Sequence, residues 1–117
     1  MNVEYGKYYY TGWPKDVLTG LKISIALYLR TYRNVKIGIT NWPERRFYEH
    51  VQRDCTIKWQ RMVVKYKTTS VANANKIEKF FIENESRLKN RWNGFSKMSD
   101  DGPYYVYFLL SGKRNKQ

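Results

Sequence analysis

Val35-Lys36-Ile37-Gly38-Ile39-Thr40, followed by Asn41-Trp42-Pro43-Glu44-Arg45-Arg46-Phe47-Tyr48-Glu49-His50, decides how this chain is read. The first six residues are β-branched at alternate positions, which suits a short strand. The change to helix follows at once. Asn41 is a good N-cap, Pro43 falls in the first turn, and Glu44 stands three residues after the cap. The spacing predicts a helix to about Val51. Phe47 and Val51 share one face, and Arg46 and His50 an adjoining one. A lone Gly38 inside a strand asks for a close approach by a neighbour.

Upstream, residues 2–15 read as an irregular Tyr-rich entry ending at Trp13-Pro14, and residues 15–22 as a helical turn. Ser24–Leu29 (SIALYL) reads as a strand, although Lys15–Leu29 also fits a helix. Thr31–Asn34 is a turn in this reading, so Ser24–Leu29 and Val35–Thr40 form a hairpin. Downstream, Ile57–Lys67 is a third strand. Ser70 caps a second helix to about Lys89, with Ala74, Ile77, Phe81 and Leu88 as its buried stripe. Asn93-Gly94 breaks the chain, Tyr104–Leu110 (YYVYFLL) is a last strand, and residues 111–117 are a basic tail. The expected order is β-β-α-β-α-β, an α+β fold in one domain over residues 1–117. Trp42, Trp59, Trp92 and the YYVYFLL strand are expected in the core.

Twenty-two Lys and Arg against ten Asp and Glu give +12 at pH 7. A small domain so charged repels itself, and the usual compensation is a polyanion partner, above all nucleic acid. One cysteine excludes an internal disulfide, and one cysteine with one histidine excludes a structural zinc site. Any metal is therefore a hard, oxygen-preferring cation. The sequence carries no apolar stretch long enough to span a membrane and no secretory signal, so a cytoplasmic protein is expected, in the host cell if phage-encoded.

The KIGIT strand, with Arg46 eight and His50 twelve residues after Gly38, resembles the second motif block of the GIY-YIG nuclease family. Glu78, on the next long helix, stands where that family holds its metal. Asn93-Gly94-Phe95 looks like its Asn-Gly-aromatic segment, so the likeness spans about residues 24–98. There is no literal Gly-Ile-Tyr, and Tyr28 is the candidate for the first motif's tyrosine. Lys36 replaces the tyrosine of the second, as in some restriction enzymes of the family. The resemblance implies a three-stranded antiparallel sheet flanked by helices, with the C-terminal strand as an addition. It implies a stand-alone, phage- or homing-like DNA endonuclease using one Mg²⁺ or Mn²⁺ on Glu78, with Tyr28, Lys36, Arg46, His50, Glu78 and Asn93 at the catalytic site. A homodimer would supply reading surface that 117 residues lack.

Taken singly, Arg46, His50 and Glu78 are ordinary solvated helix residues, and Gly38 merely permits packing. Their joint spacing favours the functional reading. Two other classes stay open: a non-catalytic DNA-binding protein of the same fold, and a protein that binds or inhibits a protein partner.

The charge generates the first expectation. DNA binding persists without divalent metal and falls about a thousandfold between 50 and 200 mM salt, as several phosphate contacts release counterions. A flat salt titration of binding would contradict the nucleic-acid reading.

Overall fold

The computed structural model describes residues 3–54, 56–90 and 102–114. Their elements are β1 (Val3–Tyr10), α1 (Pro14–Thr31), β2 (Tyr32–Thr40), α2 (Pro43–Arg53), β3 (Arg61–Thr68), α3 (Val71–Asn84) and β4 (Tyr104–Lys113). The fold is α+β, but the sheet is four-stranded and mixed, in the order β1-β3-β4-β2. β4 is antiparallel to both β3 and β2, while β1 lies parallel to β3 at the edge. The last strand is thus an interior one, paired on both sides, and not an addition. Its continuous apolar run is what a strand covered on both faces requires.

α1 corrects the predicted hairpin. Val17, Leu21, Ile25 and Leu29 are buried at a spacing of four, a helical stripe that overrides the local strand look of Ser24–Leu29. Pro14 opens the helix and Asp16 sits in its first turn. The helix ends at Thr31 and passes directly into β2, so Thr31–Asn34 is no turn. The partner of β2 is β4, with Gly38 opposite Tyr107.

The Tyr-rich entry is a strand as well. Aromatic residues suit a pleated, half-buried surface. β1 is pinned on β3 by Glu4, whose two carboxylate oxygens accept from Arg61 Nε and Nη2 at 2.5 and 2.6 Å.

Two apolar layers enclose the sheet. α1 and α3 cover one face, where Val35, Ile37, Ile39, Val106, Phe108 and Leu110 meet Leu21, Ile25, Ile77 and Phe81. α2 covers the other through Phe47, packed on Trp59, Met62, Val64, Tyr107 and Leu109. Ser70 caps α3 as expected, its Oγ accepting from Asn73 N at 3.1 Å. The helix ends at Asn84 rather than near Lys89, yet Leu88 is still buried. α2 runs two residues beyond Val51, and Trp42 rather than Asn41 is its N-cap residue. Val51 is exposed, because Phe47 alone of that pair reaches the sheet. Trp59 is in the core, whereas Trp42 is 55% exposed; Trp92 lies outside the described residues.

β2 lies at the sheet edge, and the segment after α3 closes it. Asn90 Nδ2 donates to Ile37 O at 2.8 Å, and its Oδ1 accepts from Ile37 N at 3.0 Å. Lys89 N donates to Val35 O at 2.8 Å. One side-chain amide therefore does for Ile37 what a neighbouring strand would. Asn90→Ala is expected to lower stability by about 2 kcal/mol, since Ile37 loses both partners at once. Chemical denaturation measures it, and a change within 0.5 kcal/mol would show that water replaces the amide freely.

Candidate active site

Along β2, Lys36, Gly38 and Thr40 face α2, while Val35, Ile37 and Ile39 face the α1–α3 layer. Across from Gly38, β4 places Tyr107 on the α2 face. A Cβ at Gly38 would overlap the Tyr107 ring and hydroxyl, so only glycine lets this side chain cross β2.

α2 brings its adjoining face to the same spot. His50 Nε2 lies 2.9 Å from the Tyr107 hydroxyl. Its Nδ1 is 3.9 Å from Asp54 Oδ2, and Asp54 also accepts from Trp59 Nε1. Burial, reinforced by the charges of Lys36 and Arg46, pushes the imidazole down to about 4, so His50 is neutral at physiological pH. The arrangement suits a tautomer with the proton on Nδ1, facing Asp54, and Nε2 accepting from the phenol.

Arg46 sits one turn before His50. Its Nη1 donates to Glu49 Oε1 at 3.3 Å, and it also hydrogen-bonds Tyr107. Burial works against its charge, but Tyr107 and Glu49 outweigh burial and hold the guanidinium protonated. Its Nε is buried with no hydrogen-bond partner among the described residues. Such a donor costs roughly 1–3 kcal/mol unless something accepts from it.

Glu78 enters from α3. It is 7% exposed and belongs to the same buried stripe as Ala74, Ile77 and Phe81. Burial raises its carboxyl to about 7, and Arg46 and Lys36 pull in the opposite direction. Because β2 is the edge strand, α3 on one face and α2 on the other converge around it. Tyr107 feels both Arg46 and Glu78; burial lifts its phenol to about 12 against the pull of Arg46.

Lys36, Arg46, His50 and Glu78 thus gather around Gly38 and Tyr107. Tyr28 does not join them. It lies on α1, on the opposite face of the sheet, with its ring 5.6 Å from that of Phe108. Its charged surroundings are Arg61 and Glu4, and burial lifts it to about 12. The tyrosine of the cluster is Tyr107, which sequence reasoning missed. The signal available was Gly38 itself, which demands a bulky neighbour on the adjoining strand. Asn93 lies outside the described residues.

Among the described residues, no three His, Cys, Asp or Glu side chains could hold a metal together. Glu49 is already engaged by Arg46, whereas Glu78 feels Arg46 and Lys36 without an ion pair among the described residues, and a cation beside it would favour its ionised form. That donor set suits Mg²⁺, which keeps most of its waters, and not a softer ion. No protein-family model, curated protein or solved structure matches this chain. The likeness to the GIY-YIG family therefore rests on the residues themselves.

The buried carboxyl gives a pH test. Its folded value, about 7, exceeds the ordinary 4.5, so the native state holds this proton more tightly than the unfolded chain. The resulting stability is complete below pH 4.5 and is lost as pH rises through 7. Glu78→Gln, which mimics the protonated form, is expected to stabilise the metal-free protein by on the order of 2 kcal/mol at pH 8. At pH 4.5 the gain should vanish. Thermal melts at the two pH values measure this, and equal effects would mean that the carboxyl is not held protonated.

Proposed function

We propose that the protein is a DNA endonuclease that hydrolyses phosphodiester bonds, with a single Mg²⁺ or Mn²⁺ held by Glu78. The observation that carries this reading is the buried Arg46 Nε, without a hydrogen-bond partner among the described residues, on a guanidinium whose charge acts on both Glu78 and Tyr107. A phosphoryl oxygen is the acceptor that such a guanidinium fits best, through its planar donors. The +12 charge supports a nucleic-acid substrate.

Each side chain has a task in that reaction. Arg46 accepts the charge that builds on the phosphoryl oxygens, and Lys36 adds to the positive field. Tyr107 holds the attacking water. As its hydroxyl takes the water proton, its own proton passes to His50 Nε2, 2.9 Å away. Neutral His50 is the form able to accept it. Asp54 then faces the charged ring from 3.9 Å. The cation, when bound to Glu78, supplies Lewis-acid polarisation of the phosphate and stabilises the leaving 3′ oxygen.

A second reading draws on the same charge: a basic protein that binds DNA without cutting it. Incubation with plasmid DNA and Mg²⁺ separates the two. Cleavage is expected from the wild type, and a loss of at least about a hundredfold from Arg46→Ala, the usual effect of removing a group that stabilises transition-state charge. Glu78→Gln should lose cleavage while keeping or tightening DNA binding, because a negative charge near the phosphate is gone. Intact plasmid with wild-type protein across a Mg²⁺ and Mn²⁺ titration favours binding alone. Full activity in a folded Arg46→Ala protein refutes the assigned mechanism.

A further inference from the structure

A concave surface lies at the same end of the sheet as the Gly38 cluster. β1, β3 and β2 all run in one direction, since β4 opposes both β3 and β2 and β1 parallels β3. Their carboxyl ends therefore point the same way, the end at which open α/β sheets bind ligands. Between the β1–α1 and β3–α3 connections is an open cleft of about 480 Å³. Tyr9, Gly12, Trp13, Lys67, Thr69 and Asn73 line it.

The lining is unusual for a bare surface. Trp13 is 64% exposed although it directly precedes α1, and Tyr9 is 38% exposed beside it. Gly12 takes φ 109°, a conformation that turns the chain between these two aromatic residues. The Tyr66 hydroxyl donates to Gly12 O, which fixes that turn to β3. The N-terminus of α3 is not free to bind an anion here, because Ser70 Oγ already accepts from Asn73 N and Thr68 Oγ1 from Ser70 N. What remains is two aromatic walls, one amide, one cation and the hydroxyls of Thr11 and Thr69. That combination stacks and hydrogen-bonds a flat heteroaromatic ring.

The cleft adjoins the catalytic cluster. Lys67 stands opposite Tyr105, and Tyr105 opposite Thr40, two residues past Gly38. Lys67 Nζ also lies 5.9 Å from the Tyr105 ring centre, over the α2 face of the sheet. Two strand spacings, about 10 Å, separate β3 from β2. A single nucleic-acid strand crossing the sheet end would pass both places, with Lys67 between them to meet its phosphates.

We propose that this cleft takes one unpaired base of a DNA substrate, stacked against Trp13 and Tyr9 with its edge on Asn73. The protein then prefers DNA carrying an unpaired nucleotide over a perfect duplex. The inference rests on the nucleic-acid part of the reading above and not on hydrolysis.

The test compares two labelled DNA duplexes of equal length, one fully paired and one with a single unpaired nucleotide. Binding is followed by fluorescence anisotropy at fixed salt in EDTA. The wild type is expected to hold the second about tenfold more tightly, in line with one stacked base. Trp13→Ala should bring the two affinities together and leave the fully paired duplex within about twofold of wild type, since the lost contact is stacking alone. The Trp13 side chain makes no cap hydrogen bond, so the variant keeps its fold. Asn73→Ala should reduce the preference without abolishing it. Arg46→Ala should retain the preference in full. Equal wild-type affinities would overturn the inference, and so would a Trp13→Ala protein that weakens both duplexes alike. A persistent preference without cleavage in Mg²⁺ would sink the nuclease and leave the base cleft standing.

Discussion

The contact on which the site depends is the passage of Tyr107 across Gly38. A strand interior is a costly place for glycine, which contributes no side chain to the packing and loses the most backbone freedom on folding. Here the missing side chain is the point. Tyr107, fully buried and raised on an interior strand, reaches over the edge strand to His50 and Arg46 only because residue 38 is empty beyond its Cα. The hydroxyl then joins three elements that share no stretch of sequence: β4, β2 and α2. Glu78 arrives from a fourth, around the open edge of β2.

The electrostatics follow from that crowding. Two cations, Lys36 and Arg46, share a partly desolvated space with His50, Tyr107, Glu78 and Glu49, the ion-pair partner of Arg46. Burial and the two cations together keep His50 neutral. Burial keeps Glu78 close to half-protonated at neutral pH despite those cations. With its carboxyl held partly protonated, Glu78 repels an incoming phosphate less than an ordinary ionised glutamate would. Asp54, held in place by Trp59, faces His50 Nδ1 and partly offsets the effect of the two cations on it.

Much of this was legible in the sequence, for reasons that differ by element. β2 and α2 announce themselves because the β-branched run, Pro43 and Glu44 agree with the tertiary structure. Ser70 is a cap in both. β1 is not legible in the sequence, and α1 only as the alternative helix over Lys15–Leu29. SIALYL looks like a strand over six residues and like a helix only when Val17 and Leu21 are counted with Ile25 and Leu29. The YYY of β1 has no clean alternation, and its pairing with β3 is itself irregular between Tyr5 and Tyr10. Arg46, His50, Glu78 and Lys36 are the residues that the family resemblance singles out, and the fold brings these four together. Tyr107 was hidden because Tyr104 and Tyr105 precede it in the same strand, and nothing local tells them apart. Register against Gly38 decides, and register is a property of two distant segments. Tyr28 was chosen on the premise that Ser24–Leu29 pairs with β2, and it fell with that hairpin.

The position of β4 has a consequence for how the molecule comes together. Before residues 104–113 are in place, β2 has no strand to pair with, and β1 and β3 make only a two-stranded parallel ribbon. The two pieces of the sheet do not touch each other except through the final strand. Every antiparallel pairing must therefore wait for a segment at least 36 residues away along the chain, from Thr68 to Tyr104. Such a topology has high contact order and folds slowly for its size. Cutting the chain ahead of Tyr104 would not trim a strand from the protein. It would remove the keystone and leave a two-stranded ribbon and a lone strand, each with an unpaired edge prone to join its like in another molecule.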